Sequence, residues 1–168
     1  MLRFGPLTSS KQGLSGRAVT LVRYRRTRRR RQRLGILERV SSVHLCPCGT
    51  GRTYAECCEP LHTGVRRAPT AVALMRSRFS AFAVGDVTYL LSSWHPDTRP
   101  ADLTLDETIT WRRLQIVDTD AGNEDDATGV VEFRAQYVHD GSRHILHERS
   151  RFERVNGQWR YLDGELYE

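Results

Sequence analysis

Residues 131–164 read VEFRAQYVHDGSRHILHERSRFERVNGQWRYLDG and carry the main signal for the fold. Apolar and polar side chains alternate along much of this stretch, which is typical of strands with one buried face. The dipeptides Asp140-Gly141 and Asn156-Gly157 interrupt the alternation and favour tight hairpin turns. We therefore expect an antiparallel meander, with strands over residues 109–118, 131–137, 144–155 and 158–163.

The turn at residues 156–157 also predicts which strand residues face each other. A two-residue loop pairs Val155 with Gln158, and continuing that register places Ser150 opposite Asp163. One face of the sheet would then combine two carboxylates, a hydroxyl and three aromatic rings; its members are Glu148, Ser150, Phe152, Trp159, Tyr161 and Asp163. On the other face, Glu153 is expected opposite Arg160.

The two carboxylates on the aromatic face, Glu148 and Asp163, have two interpretations. Buried carboxylates need partners or shifted pKa values, and such groups concentrate at functional sites. In that case Asp163 or Glu148 would act as a base, with His95 as its proton partner. The alternative is a structural ion pair with Arg76 or Arg78 from the helix that precedes the strands.

Upstream of the strands, the apolar pattern becomes helical after residue 69. The expected stripe, at steps of three and four, consists of Val72, Met75, Phe79 and Phe82, with Arg76, Ser77 and Ser80 off it. Gly85 should end this helix, and Asp86 should cap a second one that runs to about Trp94. Two helices followed by an antiparallel meander predict an α+β domain with helices packed on one face of a curved sheet.

All four cysteines lie within the thirteen-residue segment CPCGTGRTYAECC, at Cys46, Cys48, Cys57 and Cys58. Disulfides fit this spacing poorly, because adjacent cysteines can hardly bond each other without strain. Zn²⁺ would neutralise such crowded thiolates, and a set of four ligands leaves no open coordination position, so the metal is expected to be structural. The fourth ligand is left open between Cys58 and His62.

The basic charge is concentrated at the start of the chain. The 168 residues have a net charge of +6, but residues 1–40 hold 12 of the 26 basic side chains and one of the 20 acidic ones. The rest therefore has 14 basic and 19 acidic side chains, which argues against nucleic-acid binding outside the tail. No G-x-S-x-G, P-loop, Rossmann or H-E-x-x-H motif occurs, which excludes common hydrolase, nucleotide-binding and zinc-protease classes.

Residues 1–43 are expected to form a disordered basic tail, because like charges in a run repel one another. It has three interpretations: an arm that contacts RNA, ribosomes or anionic lipid, a targeting segment, or an extension without function. The sequence contains no secretory signal and no apolar run long enough to span a membrane. The expected location is therefore the cytoplasm.

The cysteine-rich segment resembles the SEC-C motif, a zinc knuckle found at the C-terminus of the SecA preprotein translocase ATPase and in other bacterial proteins. The matching residues are Cys46, Pro47, Cys48, Gly49, Gly51, Tyr54, Cys57 and Cys58, while Thr50 stands where serine is usual. In SecA the motif contacts partner proteins and the ribosome. The resemblance thus implies a protein or ribosome contact through the knuckle.

Four further segments resemble the YchJ-like family of small bacterial proteins: LMRSRF at 74–79, WHP at 94–96, ERSRF at 148–152 and WRYLDG at 159–164. The resemblance covers residues 46–164 and implies a nuclear-transport-factor-2-like cone, the fold of ketosteroid isomerase and scytalone dehydratase. The basic extension departs from the family pattern. Such cones often form homodimers through the outer face of the sheet.

The sequence thus predicts a disordered basic tail (1–43), a SEC-C-type zinc knuckle (44–62) and a nuclear-transport-factor-2-like α+β domain (66–168). The expected function is a zinc-binding docking module attached to a cone that binds a small ligand. The alternative is an enzyme with isomerase-like or dehydratase-like acid–base chemistry. The expected pocket residues are Arg76, Arg78, Trp94, Ser150, Phe152, Trp159 and Tyr161.

Overall fold

A computed structural model describes residues 44–167. The elements are α1 (Glu59–His62), α2 (Ala71–Val84), α3 (Val87–Ser92), β1 (Thr110–Ala121), β2 (Thr128–His139), β3 (Ser142–Val155) and β4 (Gln158–Leu166). The strands form one antiparallel sheet in the order β1-β2-β3-β4. The predicted α+β order is confirmed, while the predicted disorder of the tail concerns residues outside this range. No helix within 44–167 is long and apolar enough to cross a bilayer.

Both predicted tight turns join neighbouring strands. The backbone φ angles are 49° and 75° at Asp140 and Gly141, and 52° and 74° at Asn156 and Gly157. Positive φ at both central residues is what a type I′ turn requires, and the twist of this turn matches that of the strands it connects. The turn chemistry in the sequence therefore specifies both hairpins.

The predicted capping residues Gly85 and Asp86 are confirmed at the end of α2 and the start of α3, and α3 ends at Ser92, two residues before its predicted end. Gly85 follows α2 in the left-handed conformation, with φ of 76°. The Asp86 side chain accepts a hydrogen bond of 2.9 Å from the backbone N–H of Tyr89 and so caps α3. At the other end of α2, the Thr70 hydroxyl accepts a hydrogen bond from Ala73 N–H.

The main core lies between α2 and the inner face of the sheet. It consists of Ala71, Leu74, Met75, Phe79, Leu114, Val131, Phe133, Ala135, Phe152 and Trp159. The alternation predicted for β2 is confirmed, since Val131, Phe133 and Ala135 are buried while Arg134 is exposed. The sheet thus presents one apolar face to the helix.

The other side of α2 is covered by the cysteine-rich segment. Arg76 Nη1 donates a hydrogen bond of 2.9 Å to the carbonyl of Cys48, and His62 Nε2 donates one of 2.9 Å to the carbonyl of Ser77. Ser77 and Ser80, which lie off the predicted apolar stripe, are both completely buried. The knuckle therefore packs directly on the helix that carries the cone's core.

The register between β3 and β4 follows the prediction near the turn and departs from it further along. The first four residue pairs are as expected, but Leu162 then forms a β-bulge, so Asp163 pairs with Arg151 and not with Ser150. One extra residue turns the following side chains to the opposite face of the sheet. The predicted position of Asp163 on the inner, aromatic face is therefore wrong.

Candidate functional site

The four cysteines form a compact buried cluster. Their Sγ atoms all lie within 4.8 Å of one another, and none of these four thiols, the chain's full set, is in a disulfide. A metal held tetrahedrally by bonds of about 2.3 Å would separate its sulfur ligands by about 3.8 Å. The Cys48–Cys57 and Cys57–Cys58 sulfur distances are 3.5 and 3.9 Å. The cluster could therefore hold a metal ion with little rearrangement.

The loop between the two cysteine pairs closes through its backbone. Gly49 and Gly51 both have φ of 78°, a conformation that favours glycine. Cys46 N–H donates a hydrogen bond of 2.8 Å to the carbonyl of Arg52, which closes the loop. Short turns then bring the second pair of thiols back to the first.

The thiols influence one another's ionisation. Hydrogen bonding with Cys58 lowers the pKa of the Cys48 thiol to about 4, and the same interaction raises the pKa of Cys58. Burial raises the pKa of Cys46. A divalent cation would favour the thiolate form of the whole set, and its binding would release protons.

His62 is the other ligand that the sequence left open, and both of its ring nitrogens are occupied. Nε2 donates to a backbone carbonyl at Ser77, so Nδ1 accepts the 2.7 Å hydrogen bond from the Tyr54 hydroxyl. The ring also packs against Tyr89, with 4.4 Å between ring centroids. Cys58, and not His62, lies in the cluster, while His62 connects the knuckle to α2 and α3.

The guanidinium of Arg78, a residue of α2, lies inside the cone between α3 and the rings of Trp94 and Tyr161. Arg78 is only 3% exposed, and its Nη1 donates to the Leu90 carbonyl at 2.9 Å and to the Ser93 hydroxyl at 2.7 Å. Its Cζ atom lies 4.9 Å from the ring centroid of Trp94 and 4.4 Å from that of Tyr161. Burial lowers the pKa of Arg78 to about 10, so the side chain stays charged at neutral pH.

Glu148 is the buried carboxylate of the cone. Its Oε1 accepts hydrogen bonds from the hydroxyls of Ser150 at 2.6 Å and Tyr161 at 3.0 Å. Burial and the charge of Glu148 raise the pKa of Tyr161, which keeps that hydroxyl protonated. Within residues 44–167 Glu148 forms no ion pair with an arginine, so the predicted pairing with Arg76 or Arg78 is not formed, and two hydroxyls solvate the carboxylate instead.

The other two acid–base candidates point elsewhere. Asp163 lies on the outer face, where Arg151 Nε donates to its Oδ1 at 2.6 Å; this contact lowers the pKa of Asp163. His95 accepts a hydrogen bond from Asp97 N–H through Nδ1, and its Nε2 lies 3.6 Å from an oxygen of Glu153. Glu153 belongs to the outer face, because it adjoins an inward residue on β3. The three candidates do not form one site.

The remaining predicted pocket residues have mainly structural contacts. Arg76 extends to the knuckle instead of the cone interior, which corrects its predicted place. Phe152 belongs to the core, and Trp159 Nε1 donates a hydrogen bond of 3.0 Å to the carbonyl of Pro69. Trp94 contacts Arg78 and Tyr161, but its indole N–H has no acceptor among residues 44–167.

Two surface depressions lie outside the cone interior. One, of about 320 Å³, lies where the knuckle meets the cone and is called the junction groove; its walls include Leu61, His62, Arg66, Arg67, Tyr89, Ser92, Gln158, Trp159 and Arg160. The other, of about 360 Å³, lies on the outer sheet face beside the Arg151–Asp163 pair. The junction groove is not predictable from the sequence, because its walls come from distant segments that only folding brings together.

Sequence comparisons agree with both parts of the structure. A family profile described as the YchJ middle NTF2-like domain matches residues 70–164, and a SEC-C motif profile matches residues 45–60. A UPF0225 protein of Streptomyces coelicolor is 55% identical over 121 residues, which cover 72% of this chain and 94% of that protein. A UPF0225 protein of Deinococcus radiodurans is 49% identical over 119 residues, with coverages of 70% and 86%.

Solved structures show the same architecture. The solution structure of a SEC-C motif containing protein from Rhodopseudomonas palustris, RPA3114, aligns with a TM-score of 0.64 and 32% identity, covering 73% of this chain and 98% of that one. The crystal structure of a SEC-C motif containing protein from Psychrobacter arcticus aligns with a TM-score of 0.59 and 27% identity, covering 73% and 82%. The chain therefore belongs to the UPF0225 family, in which a SEC-C motif precedes a YchJ-type NTF2-like domain.

Proposed function

We propose that this protein is a zinc-stabilised binding protein whose ligand surface is the junction groove. The observation that carries the proposal is that knuckle and cone build this groove together: the knuckle side includes Leu61 and His62, and the cone side includes Tyr89 and Trp159. The hydrogen bonds between the knuckle and α2 hold the two sides in place. The groove thus depends on a folded knuckle.

Zinc is the proposed metal because the donor set consists of four buried thiols. Soft sulfur ligands in a tetrahedral arrangement favour Zn²⁺, and a site with four protein ligands is closed to substrate. The sulfur distances of 3.5 and 3.9 Å are close to those of such a site. The metal would therefore hold the knuckle together without taking part in a reaction.

Binding is favoured over the enzyme alternative because the candidate acid–base groups are dispersed. Glu148 is held by two hydroxyls inside the cone, whereas Asp163 and His95 lie on the outer face with other partners. A general acid and base must both reach one substrate. No observation within residues 44–167 supports such a pair.

The SEC-C resemblance extends the proposal to a protein or ribosome contact through the knuckle. Leu45, at the edge of the knuckle, and Val65, just after it, are 65% and 78% exposed, which supports a contact surface there. A homodimer through the outer sheet face and a cytoplasmic location stay predictions.

Elemental analysis of the purified full-length chain, combined with thiol titration, tests the metal. We expect one zinc ion per chain and thiols that react only after chelation. Backbone and indole NMR signals then test the groove: chelation should shift Tyr89 and Trp159 but leave the distant turn at Asp140 and Gly141 in place. A metal-free or disulfide-bonded protein would contradict the proposal. So would NMR signals of Tyr89 and Trp159 that do not change when the metal is chelated.

A further inference from the structure

The junction groove concentrates positive charge on an otherwise acidic structure. Residues 44–167 contain 14 arginines and 18 acidic side chains, yet the groove is lined by three arginines, Arg66, Arg67 and Arg160, and by no aspartate or glutamate. Burial, followed by the like charges of Arg67 and Arg99, lowers the pKa of Arg160. Close cations without a nearby counter-charge repel one another, and an anion in the groove would relieve that repulsion.

Two acidic side chains beside groove residues, Glu153 next to Arg160 and Asp86 next to His62, are directed to other partners. Glu153 pairs with Arg160 across the β3–β4 ladder, but its carboxylate lies 3.6 Å from His95 Nε2. Asp86 caps α3 and lies 3.9 Å from His62 Nδ1. Neither carboxylate lines the groove. The arginines are therefore not neutralised within residues 44–167.

Two of the groove arginines, Arg160 and Arg66, are held by hydrogen bonds to other residues, whereas Arg67 is not. Arg160 is held by hydrogen bonds from Nη1 to the Ser92 carbonyl at 2.5 Å and from Nη2 to Gln158 Oε1 at 2.8 Å. These two bonds leave three of its five N–H donors for a ligand. Arg66 is likewise tied by Nη2 to backbone carbonyls of the knuckle, including that of Cys57 at 3.3 Å. Arg67 has no hydrogen bond or ion pair with another described residue.

The size and walls of the groove limit what it can hold. A volume of about 320 Å³ is at the lower end of the range for small-molecule sites. Leu61, Leu74 and Tyr89 form part of its wall and offer apolar contact beside the arginines. Guanidinium forks match the oxygens of a phosphoryl group, which carries more charge than a single carboxylate.

We propose that the junction groove binds the phosphoryl group of a small molecule, with Arg67 and Arg160 as the main donors and Arg66 beside them. This inference rests on the proposed function, which makes the groove the ligand surface. An apolar portion of the same ligand would lie along the wall that includes Leu61 and Tyr89. The proposed ligand class is therefore a small phosphorylated metabolite.

The test uses the full-length, metal-loaded protein and inorganic pyrophosphate as the probe, followed by backbone NMR and calorimetry. We expect saturable shifts at groove residues such as Ser92 and Gln158. Arg67→Gln should weaken binding about tenfold or more, because hydrogen bonds between charged groups are the strong ones. Arg143→Gln is the matched control, since Arg143 is exposed beside the other hairpin and its loss removes the same charge.

Several outcomes would overturn the inference. These are the absence of saturable pyrophosphate binding, an equal loss of affinity in Arg67→Gln and Arg143→Gln, or citrate binding as tightly as pyrophosphate. A short single-stranded RNA that binds through Arg67 while pyrophosphate does not would replace the small molecule with nucleic acid. Because zinc content and the response of the groove to chelation are measured separately, a failure of this inference alone leaves a metal-loaded protein with an intact groove.

Arg67→Gln is the decisive variant because Arg67 has no hydrogen bond or ion pair within residues 44–167, so its replacement removes none of the described polar contacts of the fold. Arg160→Gln would also lose its bond to the Ser92 carbonyl, so its effect on binding is interpreted only with an unchanged NMR spectrum away from the groove. Agreement of the two variants would place the phosphoryl group between them.

Discussion

At the scale of single residues, the cone interior contains charged groups that are solvated by neutral neighbours. Arg78 uses a backbone carbonyl, a hydroxyl and two aromatic rings, and Glu148 uses the hydroxyls of Ser150 and Tyr161. Buried charges are tolerated only when such partners compensate for the lost water. These partners therefore compensate both charges inside the cone, where the sequence predicts a ligand pocket.

Gly129 on β2 is a second residue whose identity follows from its surroundings. A Cβ atom at this position would lie 2.5 Å from Gly122 Cα and 3.0 Å from the Cβ of Ala71. The nearest obstacle is backbone, which cannot move without shifting the end of β1 from the start of α2. Ala71 N–H also donates a hydrogen bond of 2.9 Å to the Gly122 carbonyl at this point.

Gly129→Ala should therefore lower the free energy of unfolding by about 1–3 kcal/mol, the usual cost of forcing extra volume into a packed interior. Urea unfolding followed by circular dichroism measures this cost. The control is Thr128→Ala, which changes an exposed neighbour on the same strand. Equal stability of the two variants would mean that the β1–α2 contact is looser than described.

At the scale of elements, α2 is shared between the sheet and the knuckle. Its Phe79 side packs on the core, whereas the buried Ser80 hydroxyl lies 3.5 Å from Cys46 Sγ and 3.4 Å from Cys58 Sγ. Polar residues off an apolar stripe usually face solvent. Here they face the cysteine cluster, so one helix couples metal binding to the cone.

Cys48→Ser should release the metal and also loosen α2. From the sequence, we expect this substitution to disorder only residues 44–62 and to leave residues 70–165 folded, but the contacts of Arg76, Ser77 and Ser80 extend the effect to the helix. In Cys48→Ser, amide hydrogen exchange should speed up more across α2 than across β2, each compared with the unmodified protein.

Glu56→Gln is the control for Cys48→Ser, because it changes an exposed knuckle residue and keeps all four thiols. If Cys48→Ser loses metal and α2 keeps the exchange protection of the unmodified protein, the knuckle and the cone are independent modules. If β2 loses protection as fast as α2, the metal supports the entire cone.

At the scale of the whole molecule, three tyrosines connect stability to alkaline pH. Burial raises the pKa of Tyr54 to about 12, and it also raises the pKa values of Tyr89 and Tyr161. Above a pH of about 10 these groups ionise in the unfolded chain but stay protonated in the folded one. The folded state then binds more protons, so the free energy of unfolding falls as the pH rises. Arg78 and Arg160 act in the opposite sense, because their pKa values are lowered, but they are two groups against three.

The free energy of unfolding should therefore decrease between about pH 10 and pH 12, and Tyr161→Phe should make this decrease less steep. Urea unfolding at a series of alkaline pH values measures both slopes. Tyr167→Phe serves as the control, because Tyr167 is 42% exposed. A stability that rises over this range, or identical slopes for the two variants, would show that Tyr161 does not contribute as described.

The local pattern of the chain is sufficient for much of this structure. The hairpins follow from Asp140-Gly141 and Asn156-Gly157, the helix boundary follows from Gly85, and the compact thiol cluster follows from the spacing of the four cysteines. Each of these features depends on residues that are neighbours in the chain. Backbone preferences and side-chain period act over such short distances and can be read directly.

Contacts between distant segments account for what the pattern does not reveal. The bulge at Leu162 moves Asp163 to the outer face, and the knuckle buries Ser80 beside the thiols. The junction groove joins Arg66, next to the knuckle, with Arg160 on the last strand. The energies of bulges, burial and charge clustering depend on which surfaces meet after folding, and a linear pattern holds no information on that choice.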